Sequence, residues 1–240
     1  MKAIKPQLSA GTRDFNQSDM IKRRYVISIL EQLFKQYSFF EIATPAIENT
    51  STLFGNYGDD GEKLIFKILN SGDFLSKVDK KGELNYKEIS NIISKKALRY
   101  DLSVPLARFV AQNRNDIIFP FKRYQIQPVW RADKPQKGRF REFYQCDIDI
   151  IGSDNIINEV EMINIICDFF DKIKFNDFRI RINSRKIINS LLEKLDVNNS
   201  EALLVCLDKK DKIGLENVIT EIKKLKIKKS AEEVILNLLK

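Results

Sequence analysis

The chain has 240 residues, enough to bury a sizeable core in one large domain or two smaller ones. It contains no histidine, which excludes imidazole acid–base catalysis, Ser–His–Asp and Cys–His nucleophiles and histidine metal ligation. The formal net charge of +8 favours a polyanionic partner such as ATP or nucleic acid, and charge alone also fits a generic basic nucleic-acid binder.

Any chemistry must therefore run on carboxylates, arginines, lysines, a bound metal or positioning alone. No apolar run approaches membrane-spanning length and the N-terminus has no signal-peptide core, so the expected location is cytoplasmic. Cys146, Cys167 and Cys206 are far apart, and each sits among apolar neighbours. They are expected to be buried free thiols rather than a disulfide framework or a zinc site.

Residues 1–17 read as an irregular lead-in with a turn at Gly11-Thr12-Arg13-Asp14-Phe15, after which Ser18 or Asp19 can cap a helix over 19–37. Its apolar positions, Met20, Ile21, Tyr25, Val26, Ile29, Leu30, Leu33, Phe34 and Tyr37, form a band wider than one stripe. Such a helix either has a core face plus a dimer face or is wedged within one core. Phe39 to Ala43 predicts a short strand ending before Pro45, residues 47–62 a loop, and Leu64 to Leu69 a second strand. Residues 72–96 read as a polar surface excursion with a VDKKGELNY turn. In ALRYDLSVPLARFVA (97–111) the first part is extended, and Pro105 suits the first turn of a helix reaching about Asn113.

Residues 122–152 then form a long β-hairpin, with arms Phe121–Arg131 and Glu142–Ile150. Its loop carries Lys134, Lys137, Gly138 and Arg139 between Arg131 and Arg141. In the second arm Tyr144, Cys146, Ile148 and Ile150 alternate with Phe143, Gln145, Asp147 and Asp149. The polar face is either an ordinary solvated one or the wall of a site for a charged ligand. A helix follows over 155–172, then an alternating strand FRIRIN at 178–183. Four short helices, 186–195, 200–210, 214–226 and 230–240, make a separate helical module. The five lysines of KKLKIKK (223–229) fit a solvated helix face or a nucleic-acid contact. No GxxxxGK[ST] or GxGxxG cradle is present, so a bound nucleotide would have to be held by arginines.

If Asp101, Gln145 and Asp149 converge, two carboxylates and an amide make a cage for an ammonium group, which presents three donors in a compact head. Arg131 can fork two N–H groups onto a phosphate or carboxylate. Phe143 offers a flat surface for a purine, and Lys134, Lys137, Arg139 and Arg141 can carry the outer phosphates. A site holding an amino acid beside an ATP α-phosphate needs no protein nucleophile. The substrate's own carboxylate attacks, and the protein supplies alignment and charge stabilisation.

The pattern RxDKPQKGRxREFYQCDxD within this hairpin resembles motif 2 of class II aminoacyl-tRNA synthetases, in the histidyl-tRNA synthetase form. LRYDLSVPLAR resembles that family's histidine-binding segment, with Ser103 where Thr is more usual. Helix 19–37 followed by FFEIATPAIE resembles motif 1, and VCLDKKDKIGLENV (205–218) the family's helical insertion. The resemblance implies an α+β fold, with an antiparallel sheet flanked by helices. It implies an incomplete catalytic core over 1–185 and a helical insertion over 186–240, near the tRNA acceptor end. It also implies that Asp101, Leu102, Ser103, Gln145 and Asp149 bind L-histidine, with Arg131 as catalytic residue bridging the histidine carboxylate and the α-phosphate. Asp133, Arg139 and Phe143, with Arg131, would bind ATP. Mg²⁺ is expected with ATP, with no ligand residue named; tRNA(His) would be the second substrate and a homodimer would form through helix 19–37. The family's later RGLDYY-type segment, motif 3 and anticodon-binding domain have no counterpart in these 240 residues. The expectation is thus a fragment of a histidine–tRNA ligase, inactive alone. A synthetase-like regulatory or sensing paralogue is the alternative, and the presence of Arg131, Asp101 and Asp149 counts against it.

Overall fold

The helix expected over 19–37 runs from Gln17 to Gln36 (α1) in the computed structural model, which describes residues 5–54, 63–78, 85–197, 200–225 and 227–239. Its cap is Asn16, whose side chain accepts from the Asp19 N–H at 3.0 Å. Ser18 and Asp19 therefore lie inside the first turn, where the Asp19 charge suits the positive end of the helix. Ser38, at φ 61°, turns the chain into β1 (Phe40–Glu41). Then follow β2 (Ile47–Asn49), α2 (Thr50–Leu53), β3 (Lys67–Ile68), α3 (Tyr86–Ile93), β4 (Lys96–Leu98) and α4 (Ser103–Gln112). The hairpin is β5 (Phe121–Trp130) and β6 (Glu142–Ile151), followed by α5 (Ile157–Lys172).

The strands form two small sheets. One has the order β1-β5-β6, with β1 parallel to β5 and β5 antiparallel to β6; the other, β2-β4-β3, is antiparallel. The α+β class is as expected, and the parallel β1–β5 pair makes the first sheet mixed. Both early strands are shorter than their apolar runs suggested. The excursion over 72–96 also contains a capped helix, α3, with the Asn85 side chain accepting from the Lys87 N–H at 3.0 Å. The loop over 55–62 and most of the VDKKGELNY turn, 79–84, fall outside the described residues.

One face of the hairpin sheet is covered by α1 and α5. Phe34, Phe39, Tyr124 and Ile165 are buried there, with Leu30, Ile126, Ile148, Ile150 and Met162 packed around them. Each such side chain contributes roughly 1.5–3 kcal/mol by leaving water. Tyr37 ties α1 to α5 by donating to the Asp168 carboxylate at 2.6 Å, and this bond pushes its hydroxyl up to about 12. Higher on α1 the band is uncovered: Met20, Ile21, Tyr25 and Val26 are 36–63 % exposed.

The chain divides into two units, 1–178 and 179–240. FRIRIN, at their junction, pairs with no strand among the described residues, so its alternation produces no ladder. The described residues of the second unit form five helices where four were expected: α6 (Arg185–Lys194), α7 (Ser200–Asp208), α8 (Lys210–Ile213), α9 (Leu215–Lys224) and α10 (Lys229–Leu239). Gly214, at φ +82°, separates α8 from α9. Its core is Leu192, Leu203, Cys206, Val218, Ile222 and Ile235. Cys206 is the buried thiol predicted. Cys167 is half-buried, and Cys146 is exposed. Among the described residues no helix is long and apolar enough to cross a membrane.

Candidate active site

Register decides which hairpin residues share a face. Arg123 lies opposite Asp149, Gln125 opposite Asp147, Gln127 opposite Gln145 and Val129 opposite Phe143. Directly opposed residues of an antiparallel pair point to the same side, so these eight form the face turned away from α1 and α5. It is not the solvated face of an ordinary amphipathic hairpin. Arg123 and Gln125 are fully buried, with Arg99 and Thr44 buried beside them.

A hydrogen-bonded layer fills this face. Arg99, just after β4, donates from Nε to the Pro128 carbonyl at 2.9 Å. Its Nη1 donates to the Thr44 carbonyl at 2.7 Å and to Gln127 Oε1 at 2.8 Å. Gln125 Nε2 donates to Thr44 Oγ1 at 2.9 Å and to Gln127 Oε1 at 2.5 Å. Arg99 thereby links β4 to β5 and carries the chain directly into Tyr100 and Asp101. At the start of α4, Asp101 Oδ1 accepts the N–H groups of Ser103 and Val104, both at 3.1 Å. This fixes the carboxylate at the helix entrance. Ser103 is exposed in the first turn, whereas Leu102 is buried as a whole residue.

The chain leading into Asp101 meets the hairpin: the Trp130 N–H donates to the Arg99 carbonyl and Arg131 Nε to the Tyr100 carbonyl, both at 3.1 Å. Burial pushes the carboxyls of Asp147 and Asp149 up, and Arg123 pulls both back. Gln145 Oε1 is buried with no hydrogen-bond partner. Arg131 stands at the boundary: its Nε donates to the Tyr100 carbonyl at 3.1 Å, and its guanidinium lies 4.3 Å from the Tyr100 ring centroid and 5.2 Å from that of Phe143.

Beyond Arg131 a pocket of about 480 Å³ is lined by Arg13, Arg131, Asp133, Gly138, Arg139, Phe140 and Phe143. Asp133 and Arg139 pair with each other at 2.5 Å, so an anion arriving at Arg139 competes with Asp133. Arg13, expected only as part of the N-terminal turn, also lines this pocket. It is held by cation–π contacts to Phe15 at 4.6 Å and Phe140 at 4.0 Å. The N-terminal turn is latched to the hairpin, with the Arg141 N–H donating to the Gly11 carbonyl at 2.8 Å. Gly11 has φ +82°, and a Cβ there would sit 2.8 Å from Arg141 Cγ. Among the described residues no three metal-ligating side chains are grouped to hold an ion.

The family model for histidyl-tRNA synthetase matches residues 94–240. The chain belongs to the histidyl-tRNA synthetase family. It is 52 % identical over 221 residues to a histidine–tRNA ligase of Cytophaga hutchinsonii, covering 91 % of this chain and 49 % of that protein. The corresponding protein of Christiangramia forsetii is 49 % identical over 234 residues, covering 95 % and 51 %. The crystal structure of histidyl-tRNA synthetase from Nostoc sp. PCC 7120 superimposes with a TM-score of 0.77 at 28 % identity, covering 98 % of this chain and 48 % of that one. The chain thus spans about half the length of the curated relatives it matches.

Proposed function

We propose that the full-length protein is a histidine–tRNA ligase, and that this chain carries the histidine-binding wall and the motif 2 half of its ATP site. The convergence of the Asp101 segment with the Gln145–Asp149 face, Arg131 between them and the pocket, supports this most directly. Asp101, Ser103, Gln145 and Asp149 take the histidine ammonium group, and the buried Leu102 anchors the turn that carries Asp101 and Ser103. Arg131 bridges the histidine carboxylate and the α-phosphate. Asp133 and Arg139 contact ATP, and Phe143 stacks on adenine. A histidine carboxylate oxygen forms a bond to the α-phosphorus while the bond to the bridging oxygen breaks, releasing pyrophosphate. The histidyl group is then passed from the adenylate to a hydroxyl of the terminal ribose of tRNA(His): an ester bond to the acyl carbon forms as its bond to the phosphate oxygen breaks, releasing AMP. Arg131 stabilises the charge developing on phosphorus and is the catalytic residue. Mg²⁺ would travel with ATP on its phosphate oxygens; the described residues provide no ligand set of their own.

The second unit corresponds, in this reading, to the family's helical insertion and serves tRNA. The exposed Met20, Ile21, Tyr25 and Val26 of α1 supply a homodimer face. Charging of a tRNA(His) transcript with labelled histidine by the full-length protein tests the assignment. Asp149→Asn should raise KM for histidine about 10- to 100-fold, the usual loss of a hydrogen bond to a charged group. Tight histidine binding without charging would favour a sensing paralogue instead.

A further inference from the structure

Two arginines are buried in the polar layer, and they are satisfied differently. Arg99 has well-formed bonds from Nε and Nη1 to two carbonyls and an amide oxygen, and its role is structural. Arg123 is 0 % exposed, yet its Nε and Nη2 have no hydrogen bond of good geometry, and Nη1 reaches Gln125 Oε1 only at 3.4 Å. Its closest contact is Asp149, Nη2 to Oδ2 at 2.5 Å, an ion pair that is not angled as a hydrogen bond. Asp149 is 37 % exposed on its other side. Asp149 Oδ2 and Gln145 Oε1 are buried on the same face and likewise lack hydrogen bonds. Buried polar groups are normally paired, and an under-satisfied set in one row marks a place completed by something else.

We propose that Arg123 is a positioning residue of the amino-acid site: a resident cation beneath the sheet surface that holds Asp149, with Asp147 beside it, as an ionised acceptor for the substrate's ammonium group. The proposal rests on the assignment of Asp149 to that ammonium. Arg123 from β5 acts on both carboxyls, and among the described residues it is the one charged group acting on Asp149; Asp147 also feels Asp149, Asp101 from the entrance of α4, and Arg131 just past β5. In a desolvated pocket three neighbouring carboxylates favour holding a proton. A protonated acid is a donor where the ammonium needs an acceptor. Arg123 opposes both burial and carboxylate repulsion before the substrate arrives. The ammonium then brings the donors that the Gln145 and Asp149 oxygens lack.

The test is the pH dependence of KM for histidine in tRNA charging, measured on the full-length protein with Arg123→Gln, Arg123→Lys, Asp149→Asn and the Arg123→Gln/Asp149→Asn pair. The substrate's imidazole titrates in the same range but equally for every variant, so each is read against wild type. Arg123→Gln should move the acidic limb of 1/KM upward by about 1–3 pH units, the size of the effect of an opposite charge on a neighbouring carboxyl. Above that limb KM should approach the wild-type value, KM for ATP should stay within about twofold, and Arg123→Lys should restore most of the loss. Added to Asp149→Asn, Arg123→Gln should change little, because it acts through that carboxylate. A pH-independent rise in KM, a rise additive with Asp149→Asn, or a loss of activity that follows the folded fraction in thermal melts would each overturn the proposal. An unchanged Arg123→Gln beside an impaired Asp149→Asn would remove this proposal alone. An Asp149→Asn variant with wild-type KM would remove the underlying site assignment as well.

Discussion

Arg131 shows how much one side chain can be asked to do. Its Nε is committed to the Tyr100 carbonyl, and its guanidinium carbon lies within 5.2 Å of the centroids of both the Tyr100 and Phe143 rings. The outer nitrogens are therefore aimed by three neighbours rather than by rotamer preference. Lysine carries the same charge but neither the fork nor the stacking. Arg131→Lys in the full-length protein should slow single-turnover adenylate formation by about 10²–10³-fold, with thermal stability nearly unchanged. A loss below tenfold would contradict the bridging role. The shared face of Gln145 and Asp149 was legible from their spacing on a long alternating arm, whereas Arg131 stood out only through the family pattern. Asp147 has the same phase but nothing in its neighbours distinguishes it. Arg123 reads as one more charge in KRYQIQ, since polar residues on a hairpin are solvated by default. Only the register against Asp149 and the cover from Arg99 and Thr44 show that it is buried.

Among the elements, the hairpin was readable almost to the residue, because ten-residue arms repeat the period of two several times over. The two- and three-residue strands β1 to β4 carry barely one period each, so the apolar runs around β1 and β3 overstated their length and β2, within the loop expected over 47–62, was missed. FRIRIN errs the other way: alternation predicts a strand, but a ladder needs a partner. Beside the packing of Val104 on the Leu53, Ile65 and Ala97 cluster, an ion pair that no periodicity reveals joins the small β2-β4-β3 sheet to α4. Glu48 on β2 is 5 % exposed and accepts from Arg108 of α4 at 2.6 Å from Nη2 and 2.9 Å from Nε. Removing Arg108 leaves that buried carboxylate unpaired. Arg108→Ala should lower the unfolding free energy by about 3 kcal/mol in a denaturant titration. A change below about 0.5 kcal/mol, ordinary for a surface site, would show that Glu48 finds water instead. Since α4 opens with Asp101 and Ser103, the same variant should also weaken histidine binding.

For the whole molecule, the apolar band of α1 divides along its length. Leu30, Leu33, Phe34 and Tyr37 belong to the chain's own core, while Met20, Ile21, Tyr25 and Val26 lie open. If that open face joins two copies, Ile21→Glu with Tyr25→Glu should convert a dimeric full-length protein to a monomer by light scattering, with little change in its melting. A dimer that persists would place the interface elsewhere. The central claim is that this polar hairpin face and the Asp101 segment hold the ammonium group of histidine for activation by ATP. The most direct measurement is pyrophosphate exchange into ATP by the full-length protein, with each amino acid supplied in turn. Exchange that depends on histidine, and is lost when Asp101 and Asp149 are both replaced by Asn, is the predicted result. Exchange driven equally well by another amino acid would contradict it.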